Sequence, residues 1–109
     1  MIGNVTPNLP ANLLGYLRPG APALLLTAGA DGYATSAYTW VVALDDKHLR
    51  FGVDDGGSAM ANAQRTGLVS LQVIGPDNVS FLVKGKARQV KPRIEAAAPN
   101  VIMLWEMEV

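Results

Sequence analysis

The sequence predicts a mainly β chain, a small antiparallel β-barrel with short helices. Three observations carry this. Short runs rich in apolar, β-branched and aromatic residues recur along the chain, tight-turn signals separate them, and a single helical stretch is inserted among them. A parallel sheet would instead require a helix after nearly every strand. The 109 residues show neither internal repeats nor low-complexity linkers, so they read as one domain. A domain of this size buries roughly two-thirds of its unfolded surface and requires no staple.

The elements follow in order. Leu13, Leu14 and Leu17 lie at helical spacing ahead of Pro19-Gly20, which predicts a helix over about 9–18 with Asn8 as its cap. Ala23 to Thr27 is a compact apolar run, and the Asp31-Gly32 pair after it is a strong hairpin signal. Ala34 to Leu44 is rich in Thr, Tyr, Trp and Val, and Asp45-Asp46-Lys47 turns it into His48 to Val53. A helix over about 58–66 opens at Ser58, with its start capped, and stops at Gly67. Leu68 to Ile74 is a fourth strand, Gly75 to Asn78 a turn, and Val79 to Val90 a long fifth strand. Lys91-Pro92 interrupts the pattern, and Val101 to Val109 alternates as a sixth strand.

Composition narrows the functional classes. Nine basic residues against nine acidic ones argue against nucleic acid as the main partner. With no cysteine, a disulfide scaffold and a thiolate metal site are excluded. The first residues lack the basic start and apolar run of a signal peptide, and no stretch approaches the roughly 20 apolar residues of a membrane span. The expectation is a soluble cytoplasmic chain. Half of the residues are hydrophobic and only 17% are charged, which predicts that apolar surface is buried against a second copy.

The stretch from Phe51 to Val73 is the one that looks built for a ligand. A strand feeding a glycine-rich turn into a helix start leaves several backbone N–H groups unpaired and aimed outward, a ready site for phosphate.

The order of elements resembles the pyridoxamine 5′-phosphate oxidase-like family of FMN-binding split barrels. The resemblance runs from about Leu9 to Val90 through the Asp-Gly hairpin, the Thr39-Trp40 strand, "LRFGVDD", "GSAMAN", "LVSLQV" and "FLVKGKARQV". It implies a six-stranded antiparallel split β-barrel, a homodimer, and one FMN at each of two sites between the subunits. The cationic positions of the oxidases fall on uncharged residues here. The arginine after the hairpin glycine falls on Ala37 and the later lysine on Val42. The serine, arginine and lysine at the helix start fall on Gly57, Ser58 and Ala59, and a slip of one residue restores the serine as Ser58. This departure excludes authentic pyridoxamine phosphate oxidase activity. What is left for a phosphate is the helix N-terminus, the Ser58 hydroxyl and the amides of Gly56 and Gly57.

Each further residue has a bland reading beside the functional one. Thr35, Ala37 and Thr39 share a face that borders either a flavin edge or solvent. Trp40 reads first as a core or interface aromatic, and with Trp105 as a residue closing the site from the partner. Arg50 is a solvated strand residue or a replacement for the missing clamp. Lys84, Lys86 and Arg88 form a basic stripe, balanced by Asp54, Asp55 or Glu106. His48 is the only histidine and no nucleophile–base pair can be assembled around it, so a bound cofactor must carry any redox chemistry. The reading is an FMN-dependent oxidoreductase acting on a small molecule. The alternatives are a dimeric binding or sensor module that has lost flavin, and a deazaflavin or haem protein with His48 as the one available axial ligand.

Overall fold

The computed structural model describes residues 6–54, 57–75, 78–91 and 102–109. Its elements are α1 (Ala11–Leu17), β1 (Ala21–Ala28), β2 (Ala34–Ala43), β3 (His48–Asp54), α2 (Ser58–Thr66), β4 (Leu68–Ile74), β5 (Ser80–Lys91) and β6 (Ile102–Glu108). The strands close a barrel in the order β1-β2-β3-β6-β5-β4, with every pairing antiparallel. The mainly β, six-stranded barrel expected from the sequence is thus the observed architecture, with two short helices.

Alternation sets the inside of the barrel. Leu25, Val41, Leu49, Phe51, Leu71, Val73 and Met107 all point inward and are fully buried. Leu13 and Leu17 of α1, four residues apart on one helix face, join the same core. The β1–β2 hairpin closes as its Asp-Gly pair dictates. Gly32 adopts a positive φ of 89°, and the Asp31 carboxylate accepts the Tyr33 N–H at 3.0 Å. Gly85 serves a different purpose on β5, because a Cβ there would run into the Glu108 carbonyl and the Met107 side chain of β6.

Both expected caps differ from the observed ones. α1 begins at Ala11, so Pro10 occupies its N-cap position, and Asn8, two residues upstream, donates instead to the Asp46 carboxylate at 3.1 Å. α2 has Gly57 as its N-cap, with no side-chain hydrogen bond to its first turn. Its far end is as read: Gly67 is left-handed at φ 69°, and its N–H closes on the Ala63 carbonyl at 2.8 Å.

Candidate functional site

β2 is paired with β1 along Ala34–Val41, but with β3 only through Val41, Val42 and Ala43. Beyond that short ladder the two strands part, and the side chain of Thr39 marks the end of the pairing. Its Oγ1 donates to the Gly52 carbonyl at 2.8 Å and accepts the Gly52 N–H at 3.1 Å, replacing the next backbone rung. The rest of β2 toward Ala34 therefore has a backbone edge that β3 does not satisfy. Such an edge must find other partners.

α2 packs into this split, against β1, β2 and β3. Ala59, Met60 and Ala63 lie on the core, and Asn62 is only 6% exposed. Burying an amide side chain requires hydrogen bonds, and the strands supply them. Asn62 Nδ2 donates to Thr27 Oγ1 at 3.1 Å and to Thr35 Oγ1 at 3.2 Å, while those two hydroxyls, opposite one another across β1 and β2, lie 2.8 Å apart. Arg65 completes the cluster by donating to Asn62 Oδ1 at 3.0 Å and to the Ala28 carbonyl. The helix is pinned by side chains, and its N-cap Gly57 makes no side-chain hydrogen bond to the first turn, so among the described residues those amides are left without a side-chain cap.

The described residues expected at the site separate into three groups. Thr35, Ala37 and Thr39 face the barrel side of β2 and line the split; they do not meet solvent as an open face. Gly57, Ser58 and Ala59 form the start of α2, with Ser58 exposed and Ala59 packed on the core. Gly56 lies outside the described residues. Trp40 and Arg50 point the other way. Trp40 is 56% exposed on the outer surface, its indole lying over Gly20, where any Cβ would collide with it.

Arg50 is not a free cation. It donates to Glu106 at 3.2 Å across the β3–β6 pair, and Arg88 holds the other oxygen of that carboxylate at 2.9 Å. Burial pushes the Glu106 carboxyl up, but the Arg50 hydrogen bond and the Arg88 charge overcome it and hold it below its ordinary value. Of the acids named against the basic stripe, Asp55 lies outside the described residues, and among the described ones Glu106 is the one that answers, pairing with Arg88. Trp105 corrects an expectation outright. It is 3% exposed inside its own barrel and cannot close a site on another subunit.

His48 sits half-buried at the start of β3, with Nδ1 2.9 Å from the Asp45 carboxylate and Nε2 3.5 Å from that of Glu108. The Asp45 hydrogen bond raises its pKa, and the charge of Glu106 and the contact with Glu108 add to the effect. Asp45 is held low by the N–H of Lys47 and by His48. Nδ1 is thereby engaged by Asp45, while Nε2 has only the longer approach to an exposed carboxylate. Among the described residues no cluster of three metal-ligating side chains is found.

For a flavin phosphate, the structure offers an uncapped helix start and one exposed hydroxyl, in a first turn without a charged side chain. That set fits a phosphate through amides and a hydroxyl, and not through cations.

No protein-family model matches the chain, and no curated protein does. Among solved structures it is similar to the crystal structure of a "putative pyridoxamine 5′-phosphate oxidase" from Lactobacillus delbrueckii. The TM-score is 0.73 at 19% identity, over 94% of this chain and 91% of that one. With six antiparallel strands closed into a barrel and β2 parted from β3 around α2, the chain has the split-barrel fold of the pyridoxamine 5′-phosphate oxidase-like proteins.

Proposed function

We propose that this chain is a homodimeric FMN-binding split barrel and a flavin-dependent oxidoreductase acting on a small molecule. The observation that carries the reading is the split itself, where a partly unpaired β2 edge and an uncapped helix start flank one opening in the barrel. In this reading the Ser58 hydroxyl and the amides of the first turn of α2 donate to the phosphate. The small side chains of Thr35, Ala37 and Thr39 leave the β2 backbone open to the ring, and Thr39, bound at both ends of Gly52, fixes the width of the opening. α2, locked by Asn62 and Arg65, keeps water from the barrel side. When bound, the flavin supplies hydride transfer, which requires orientation and dryness from the protein and no strong acid or base.

The second copy is argued from the outer face of β2, β1, β4 and β5. Tyr38 and Leu24 are cross-strand neighbours, Leu24 also faces Gln72, and Gln72 faces Leu82, so one row across four strands is mostly apolar and exposed. With Trp40 beside it, this exceeds the scattered apolar residues of an ordinary monomer surface. Light scattering at tens of micromolar should report a dimer, and a monomer there would remove the shared site.

Flavin titration tests the cofactor. Amides, one hydroxyl and a helix dipole contribute about 1–2 kcal/mol to holding the phosphate, less than a site with charged partners. FMN should therefore bind in the micromolar range and exceed riboflavin only about tenfold. Ser58→Ala should shrink that preference, and Ser58→Lys, at an exposed position, should widen it. A preference of about a thousandfold in the unaltered protein would mean that a cation elsewhere holds the phosphate. Two observations favour a flavin-free dimeric module as the second reading: α2 has no charge in its first turn, and Arg50 is committed to Glu106. A colourless protein that binds neither flavin selects it.

A further inference from the structure

A concavity lies on the outer surface where β1, β4 and β5 run side by side; of the residues described above at the split it reaches Thr27, but neither Thr39 nor the start of α2. It is a groove of about 840 Å³ whose lining includes Leu26, Ala28, Leu68, Ser70, Lys84 and Lys86. That volume falls within the roughly 300–1,000 Å³ of small-molecule sites. The strand register orders its chemistry. Leu26 of β1 faces Ser70 of β4, which faces Lys84 of β5, and in the next row outward Leu68 faces Lys86. The groove is thus apolar along β1 and β4 and cationic along β5, with the Ser70 hydroxyl between and the Glu108 carboxylate of β6 at its far rim.

The two lysines form no ion pair with Glu108, the acid that lines the same groove. They are two residues apart on one face, roughly 6.5–7 Å along the strand. Neither forms an ion pair among the described residues, although β6 alongside carries two carboxylates. Glu106 is taken by Arg50 and Arg88. Glu108, directly opposite Lys86, is drawn instead to His48. Two like charges beside an apolar trough repel one another, and an anion between them relieves that repulsion.

We propose that this groove binds a single-chain amphiphilic anion, with its apolar chain along Leu26, Ala28 and Leu68 and its terminal carboxylate or phosphate between Lys84 and Lys86. The site does not rest on the flavin reading, but it lies next to the row of Leu24, Gln72 and Leu82 that the proposed dimer would cover. The test is titration of the full chain with dodecanoate, dodecyl phosphate, inorganic phosphate and neutral dodecyl maltoside, each below its micelle concentration, followed by calorimetry and amide chemical shifts.

Both dodecyl anions should bind and shift amides of residues 66–70 and 84–86, with the tighter of the two naming the headgroup. Dodecyl maltoside should bind about tenfold more weakly, and inorganic phosphate about a hundredfold more weakly. Lys84→Gln with Lys86→Gln, both exposed, should lower anion affinity about tenfold at an unchanged melting temperature, and FMN affinity should be the same with or without dodecanoate. Equal binding of the maltoside, or no effect of the lysine changes, would overturn the proposal. So would competition with FMN, which puts the anion in the split, or dissociation of a dimer by dodecanoate, which gives the groove to the second copy.

Discussion

The two edges of β3 meet opposite fates. Toward β6 the strand is paired at every position from His48 to Asp54, whereas toward β2 it is paired only from Leu49 to Phe51. The sealed edge also carries ion pairs, with Arg50 to Glu106 and His48 to Glu108 both crossing from β3 to β6. The open edge carries one hydroxyl bridge and, beyond it, a helix. The same seven residues therefore close the barrel on one side and hold it open on the other. What differs is the partner, since β6 matches the register of β3 along its length while β2 turns a threonine toward Gly52 and then departs.

Breaking the sealed edge should have the largest effect. Deleting Leu104–Val109 removes Trp105 and Met107 from the core and leaves β3 and β5 with free edges. The truncated chain should show no cooperative thermal transition by circular dichroism, and an unchanged melting curve would mean that β6 does not close the barrel. Phe51→Ala, at the last rung shared by both edges, should cost about 3–5 kcal/mol in denaturant unfolding, as large-to-small changes at fully buried aromatics do.

The open edge responds more gently. Thr39→Val preserves shape but strips the Gly52 N–H and C=O of their partner, at a cost of about 1–3 kcal/mol. Hydrogen exchange at the Gly52 amide should accelerate while the Val41–Ala43 ladder stays protected. If Gly52 exchanges at its original rate, the backbone has re-paired and the split has zipped.

The smallest effect belongs to pH. The pKa of His48 is raised above its ordinary value of about 6.5 by Asp45 and then by Glu106 and Glu108, against the opposing effect of burial, so the charged ring favours the folded state. Its stabilisation is full below about pH 6.5 and is lost as pH rises through the higher folded value. The melting temperature should fall slightly across that interval, and His48→Asn should flatten the slope. The lowered Glu106 acts in the opposite sense, contributing above its ordinary value of about 4.5 and fading as pH drops through its folded value.

Local chemistry made much of this fold readable in advance. Asp31-Gly32 and Gly67 are turn and stop signals that act through their own φ angles, and period-two alternation shows which residues face the core. Contacts set by register over long separations were not readable. Arg50 and Glu106 are 56 residues apart, and nothing near either names the other. Trp105 faces inward because of the phase in which β6 joins β3 and β5. The hydroxyl and amide cluster of Thr27, Thr35 and Asn62 was missed for a related reason. The sequence shows Thr27 and Thr35 on their strand faces, but only the angle at which α2 enters the split brings Asn62 between them.

The contrast between the two tryptophans equips the protein with a natural optical probe. Trp105 is enclosed by its own barrel, while Trp40 lies on the outer face over Gly20. An aqueous quencher should reach the indole of Trp40 and spare that of Trp105, dividing the emission into a quenchable red component and a protected blue one. Any partner that covers the face bearing Tyr38 and Leu24 should convert the first component into the second, so association can be followed without a label.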